Sequence, residues 1–172
     1  MADPAPQISL PSNEWIELKN VSANPINLQN WRIGDVTGQT GPMPNFILQP
    51  DSFVIVCTAS AVTAMQAYGR VISVTSFPSL ANDGDQLYLK NNTGLTIHAV
   101  SYSLSWYQNA VKSDGGWTLE MIDTKNPCSG ISNWKASTDA RGGSPGIKNS
   151  VDAVNSDQSV PSIKMLKAPS IE

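Results

Sequence analysis

The stretch from Asp114 to Gly146, DGGWTLEMIDTKNPCSGISNWKASTDARGGSPG, constrains the fold more than any other, because it leaves almost no room for a helix. Asn126-Pro127, Ser129-Gly130, Gly142-Gly143 and Pro145-Gly146 repeat turn formers at short intervals, and proline lacks the N–H that a helix interior needs. One run inside it alternates. Trp117, Leu119 and Met121 share a parity across Trp117 to Ile122, so they are expected to face a core while Thr118 and Glu120 face out. Trp134 falls mid-excursion, where so long a loop needs an apolar anchor, and the loop is expected to end in a last strand.

The remainder of the chain follows the same short-strand rhythm. Asn13 to Lys19 alternates, with Ile16 and Leu18 on one face and Trp15, Glu17 and Lys19 on the other, as in a half-buried antiparallel strand. Ile26 and Leu28 hold one parity and Trp31 and Ile33 the other, so the register must break near Gln29-Asn30. Gly34 to Asn45 reads as a loop and Phe46 to Leu48 as a stub. Phe53 to Cys57, FVIVC, is continuously apolar and suits a central strand covered on both sides. Ser60 is placed to cap a short helix over about residues 60–68, with Val62, Met65 and Tyr68 on one side and Gly69 as its stop. Val71 to Val74 is a further strand. Next comes a hairpin in which Leu87 and Leu89 point in, Asn91 to Gly94 turn, and Leu95, Ile97 and Ala99 point in on the return, leaving Thr96 and His98 outward. About ten short strands and one helix make an all-β antiparallel sandwich.

At 172 residues the chain is long enough for one domain and a tail: residues 1–12 as a leader or truncated domain start, 13–150 as the sandwich, and 151–172 as a linker. A net charge of −3 and a pI near 5.0 argue against nucleic-acid binding, which needs clustered Lys and Arg. No apolar run approaches the roughly 20 residues of a membrane helix, so membrane insertion is not expected, and MADPAPQ lacks the basic and apolar regions of an export signal. Cys57 and Cys128 permit one disulfide but also read as a buried strand residue and a loop thiol.

Few residues offer chemistry. Glu14 and Glu17 are a pair of carboxylates, but positions so spaced on a strand largely alternate faces. Asp83 and Asp85, with Asn82, could offer oxygen ligands to calcium from a tight Gly-containing loop; the alternative is hydrogen bonding that shapes the turn. No other cofactor is indicated. Trp106 and Tyr107, with Trp134, would stack on sugar rings if exposed, or close the end of the sandwich if buried. Gly142 to Gly146 matches G-x-S-x-G, yet Pro145 has no N–H for an oxyanion hole and the single histidine, His98, lies on a distant hairpin.

Three motifs, GGW.LE..D..NPC...NW..S.D.RGG.PG, the run EWIEL with I.L..W.I.D, and L.N.GD.L.L with its hairpin, together resemble the lamin tail domain in the form found in bacterial extracellular proteins. The resemblance covers roughly Met1 to Val151 and implies an immunoglobulin-like sandwich. It also implies a non-enzymatic binding, tethering or spacer module of a larger secreted or cell-surface protein, whose partners are other proteins or neighbouring domains. Glycan binding through the aromatics is the alternative, with nucleic-acid binding by analogy with nuclear lamins a third. In the family a strand of the type ISEI precedes MADP.P, which implies that Met1 lies in the first loop. An edge would then stand uncovered, open to a strand from the tail or from a second copy in a homodimer. Met121 stands where relatives often carry a basic residue.

Overall fold

The computed structural model describes residues 1–155, and β5 (Phe53–Cys57) is the element around which they pack. Its continuous apolar run is used on both faces. Val54 and Val56 enter the main core with Leu28, Ile33, Met43, Leu48, Ile72 and Val74. Ile55 and Cys57 enter a second cluster with Leu10, Trp15, Ala61 and Met65. On one side β5 pairs antiparallel with β1 (Trp15–Lys19), Trp15 opposite Cys57 and Lys19 opposite Phe53. On the other side lies β6 (Val71–Ser73), and that pair is parallel.

The sandwich is antiparallel as expected except at this one parallel pair among the described residues. Parallel neighbours need a crossover, and residues 58–70 supply it. A 3-10 turn at Ala59–Ala61 leads into α1 (Val62–Met65), which buries Ala61 and Met65 in the second cluster. The helix is shorter than the expected 60–68, and Ser60 pairs its hydroxyl with that of Thr58 instead of capping. Gly69 ends the crossover because Gly146 passes so close that a Cβ there would meet its Cα at 3.0 Å.

The second sheet contains β3 (Arg32–Gly34), β7 (Gly84–Lys90) and β8 (Thr96–Ser103), all antiparallel. Ile33 and Leu89 face Val54, Val56, Ile16 and Leu18 across the main core, which makes a two-layer sandwich. The hairpin's return strand has the opposite parity to the expected one. Leu87 lies opposite Val100 and Leu89 opposite His98, while Ile97 is the extra residue of a bulge. Directly opposed residues share a face, so His98, Val100 and Tyr102 turn inward, leaving Leu95 63% and Ile97 48% exposed. Short strands β2 (Ile26–Asn27) and β4 (Ile47–Leu48) pair beside the sheets, and Asn30 at φ 65° makes the expected register break.

The excursion from Asp114 holds β9 (Leu119–Met121) and β10 (Trp134–Ala136), paired antiparallel, so Trp134 anchors the loop from within a strand. No strand follows β10 among the described residues. The parity of β9 is likewise the reverse of expectation, with Thr118 at 3% and Glu120 at 6% exposure while Leu119 and Met121 are half-buried. Residues 1–12 pack against the sandwich: Ala2 and Leu10 are buried, and Gly116 N–H donates to the Asp3 carbonyl at 2.9 Å. At the other end Val151 is buried and Ala153 N–H donates to Ile122 at 3.1 Å; the rest of the expected linker, 156–172, lies outside the described residues.

If β5 is the centre of the fold, Ile55→Ala should lower stability by about 2–5 kcal/mol in urea titrations, whereas Leu95→Ala should change it by less than about 0.5 kcal/mol. Equal effects would show that the two-faced burial of β5 does not carry the fold.

Candidate functional site

A groove of about 500 Å³ runs along β1, between the two sheets and β9, and its walls are mostly apolar. Ile16 and Leu18 of β1, Leu87 and Leu89 of β7, Val100 of β8, and Leu119 and Met121 of β9 line it, with Trp134 and Trp15 nearby. The Trp15 indole N–H is buried and has no partner among the described residues. Glu17, Lys19, His98, Glu120, Ser144 and Asn149 are among the polar residues of the lining.

Glu120 explains why β9 turns its polar parity inward. Its Oε1 accepts from the Thr118 hydroxyl at 3.1 Å, the Ser144 N–H at 3.0 Å and the Ser144 hydroxyl at 2.7 Å. Its Oε2 accepts from the Ser150 N–H at 2.9 Å and hydroxyl at 2.8 Å. Five donors exceed the roughly four lone-pair sites of a carboxylate, so no acceptor capacity remains for a substrate proton. Ser144, the centre of the G-x-S-x-G match, is thereby committed to Glu120, and His98 is on β8 with its own pKa pulled down by burial. The arrangement has no Ser–His pair.

Glu17 differs. Burial is the main cause that pushes its carboxyl up to about 7; the Gly146 N–H it accepts opposes that, the charge of Glu120 adds to it, and Met1 and Lys19 pull it back. Glu14 is also raised by burial but more weakly covered. The Met1 ammonium donates to the Trp15 carbonyl at 2.8 Å and is brought down to about 5, burial outweighing the nearby Glu17, Glu14 and Glu120 charges.

The structure separates the other sequence candidates. Trp106 and Trp134 pack on each other, centroids 6.2 Å apart and planes tilted by 45°. Tyr107 is buried, its hydroxyl on the Trp117 carbonyl at 3.5 Å and its pKa raised to about 12 by burial, so the three aromatics do not form one open platform. Asp85 accepts from the N–H groups of Ala81 and Gln86, the turn-shaping role, and no group of three or more His, Cys, Asp or Glu able to hold a metal occurs among the described residues. Cys57, buried with its thiol pKa raised, and exposed Cys128 are both free thiols, so the bridge is not formed. Asn133, which no sequence pattern marks as functional, is fully buried. It donates to the carbonyls of Asp123 at 2.9 Å and Asn126 at 2.8 Å and accepts from Asp123 N–H at 2.8 Å, fixing the loop that leads into β10. Its place beside Trp134 was the only signal.

Glu120→Ala should strand the Ser144 and Ser150 donors and lower stability by on the order of 3 kcal/mol, read as a fall in the urea midpoint at unchanged slope. Glu17 gives a pH signature. Folded, it keeps its proton to about pH 7, against an ordinary value of 4.5, so the folded state binds more protons in that window and loses stability as pH rises through it. The Met1 ammonium acts oppositely between about 5 and 8. The stability of the wild type minus that of Glu17→Gln should therefore decline steadily from pH 4.5 to 7; a flat difference would show that Glu17 titrates normally.

Compared with protein-family models, residues 1–103 match the lamin tail domain, while a comparison with curated proteins finds no match. The matched part includes the leader, β1, the β5–β6 crossover and the β7–β8 hairpin. With more than half of its length matched and a β-sandwich of the expected immunoglobulin-like kind, the chain belongs to the lamin tail domain family.

Proposed function

We propose that this domain is a non-enzymatic binding, tethering or spacer module of a larger secreted or cell-surface bacterial protein, presenting or assembling neighbouring domains. The observation that carries the reading is the saturation of Glu120. This buried carboxylate, in contact with a serine, has all its lone pairs taken by five donors that tie Thr118, Ser144 and Ser150 together. Groups that look catalytic in the sequence are thus spent on holding the excursion against the sandwich. The acidic balance disfavours nucleic acid as partner, and among the described residues no helix is long and apolar enough to cross a membrane.

Glycan binding would have to rely on Trp106 and Trp134, which already cover each other. On the leading reading, the purified chain shows no turnover of ester, glycoside, phosphoester or peptide substrates above buffer, and glycan arrays stay blank at millimolar sugar. Turnover abolished by Ser144→Ala or Glu17→Gln would overturn the non-enzymatic reading. Array binding lost in Trp106→Ala would replace tethering with glycan recognition.

A further inference from the structure

Past Val151 the described chain has no apolar anchor. Val151 is buried, but Ala153 is exposed and Val154 is 85% exposed, so side-chain packing does not hold residues 153–155 in place. Ordering a backbone costs conformational entropy that some other interaction must offset. Polar bonds take that part. The Ala153 N–H donates to the Ile122 carbonyl at 3.1 Å, and the Asn155 N–H donates to Asp123 Oδ2 at 3.1 Å. Asn155 Nδ2 also donates to the Ser132 carbonyl at 3.3 Å and to Asn133 Oδ1 at 3.1 Å. Upstream, Asn149 donates to the Met121 carbonyl and Ser150 to Glu120, so bonds to residues 120–123 recur at 149, 150, 153 and 155.

Asn133 joins the two sides of this contact. Its Oδ1 accepts from the Asp123 N–H at 2.8 Å as well as from Asn155, and its Nδ2 donates to the carbonyls of Asp123 and Asn126. An amide side chain offers two donors and two acceptor sites, and all four are occupied. The residue is fully buried, where such bonds are stronger than in water. Asp123 divides its carboxylate in the same way: Oδ1 accepts from the Lys125 N–H at 2.9 Å and shapes the loop, while Oδ2 holds Asn155. One pair of residues therefore fixes both the loop before β10 and the path of the chain beyond Val151.

We propose that Asp123 and Asn133 form a clasp that carries the rigid body of the domain as far as Asn155, so that the domain works as a spacer with a fixed exit rather than as a loose tether. The narrowing to a spacer rests on the non-enzymatic module reading above. A loose tether needs no order beyond its last buried anchor, which here is Val151. Residues 152–155 are nevertheless held, through a buried amide with no bonding capacity to spare.

Nitrogen-15 relaxation of the full chain, measured by NMR, tests this. The Asn155 amide should show an order parameter of about 0.85, the value of rigid backbone, and Asn133→Ala should bring it below about 0.6. The Ile55 amide, at the centre of the fold, is the control and should keep its value in both chains. An Asn155 order parameter below about 0.6 in the wild type overturns the proposal, as does a wild-type value that survives Asn133→Ala. Should Asn133→Ala fail to fold, Asn155→Ala decides on the same terms, because it leaves the bonds of Asn133 to Asp123 and Asn126 in place. The failure of this idea is distinct from that of the reading it rests on: a rigid exit in a chain that turns over substrate keeps the clasp and removes the non-enzymatic module, and a mobile exit without turnover does the reverse.

Discussion

The carboxylate of Glu120 is the interaction on which the second half of this domain depends. A buried charge is tolerated only when its lone pairs are filled, and here they are filled by residues 118, 144 and 150, drawn from both ends of a long turn-rich excursion. Residues 137–151, which form no strand, are thereby tied to β9 at Ser144 and Ser150. That position brings Gly146 onto Glu17 and Tyr68, and so places the excursion over the outer face of the β1–β5–β6 sheet. On that face Leu10 and the crossover residues Ala61 and Met65 cover Trp15, Ile55 and Cys57, so β5 is buried twice.

Legibility in the sequence followed from how local each signal was. FVIVC identified a doubly covered central strand because nothing but burial on both faces keeps five successive positions apolar. The break at Gln29-Asn30 was equally plain, since two parities cannot share one strand. The β8 parity was read wrongly because Leu95, Ile97 and Ala99 look like an inward set until the bulge at Ile97 is known. A bulge adds one residue and so exchanges the faces of everything beyond it. β9 was misread for a different reason. Apolar alternation assumes a dry interior, whereas the interior here contains a satisfied charge, and the donors that satisfy it lie up to 30 residues away in sequence. The parallel β5–β6 pair was hidden too, because strand direction depends on the path of a thirteen-residue crossover and not on either strand's own composition.

The candidate site was legible in part. Glu17, Ser144 and His98 are visible in the sequence, and alternation, the proline after the serine and the distance of the hairpin each argue locally against catalysis. In the fold one geometric fact stands in their place: Ser144 and Glu120 satisfy each other while His98 sits on the opposing sheet. Asn133, by contrast, stands out in the sequence only by its place beside Trp134. An asparagine in a polar loop resembles any other until its amide is seen to bridge Asp123 and Asn126, after which the loop's order no longer needs Trp134 alone.

A carboxylate at a site that looks catalytic should be judged by what remains of its acceptor capacity rather than by its neighbours. Glu120 is buried with a serine in contact, two features that would accompany a nucleophile and its base, yet five donors occupy its acceptor sites. Glu17 has the reverse character: one N–H from Gly146, a raised pKa, and a place on a groove. Reactivity would fall to Glu17 if to either, but it lacks a nucleophile to activate, and the lining it shares with Leu18, Leu87 and Leu119 is apolar.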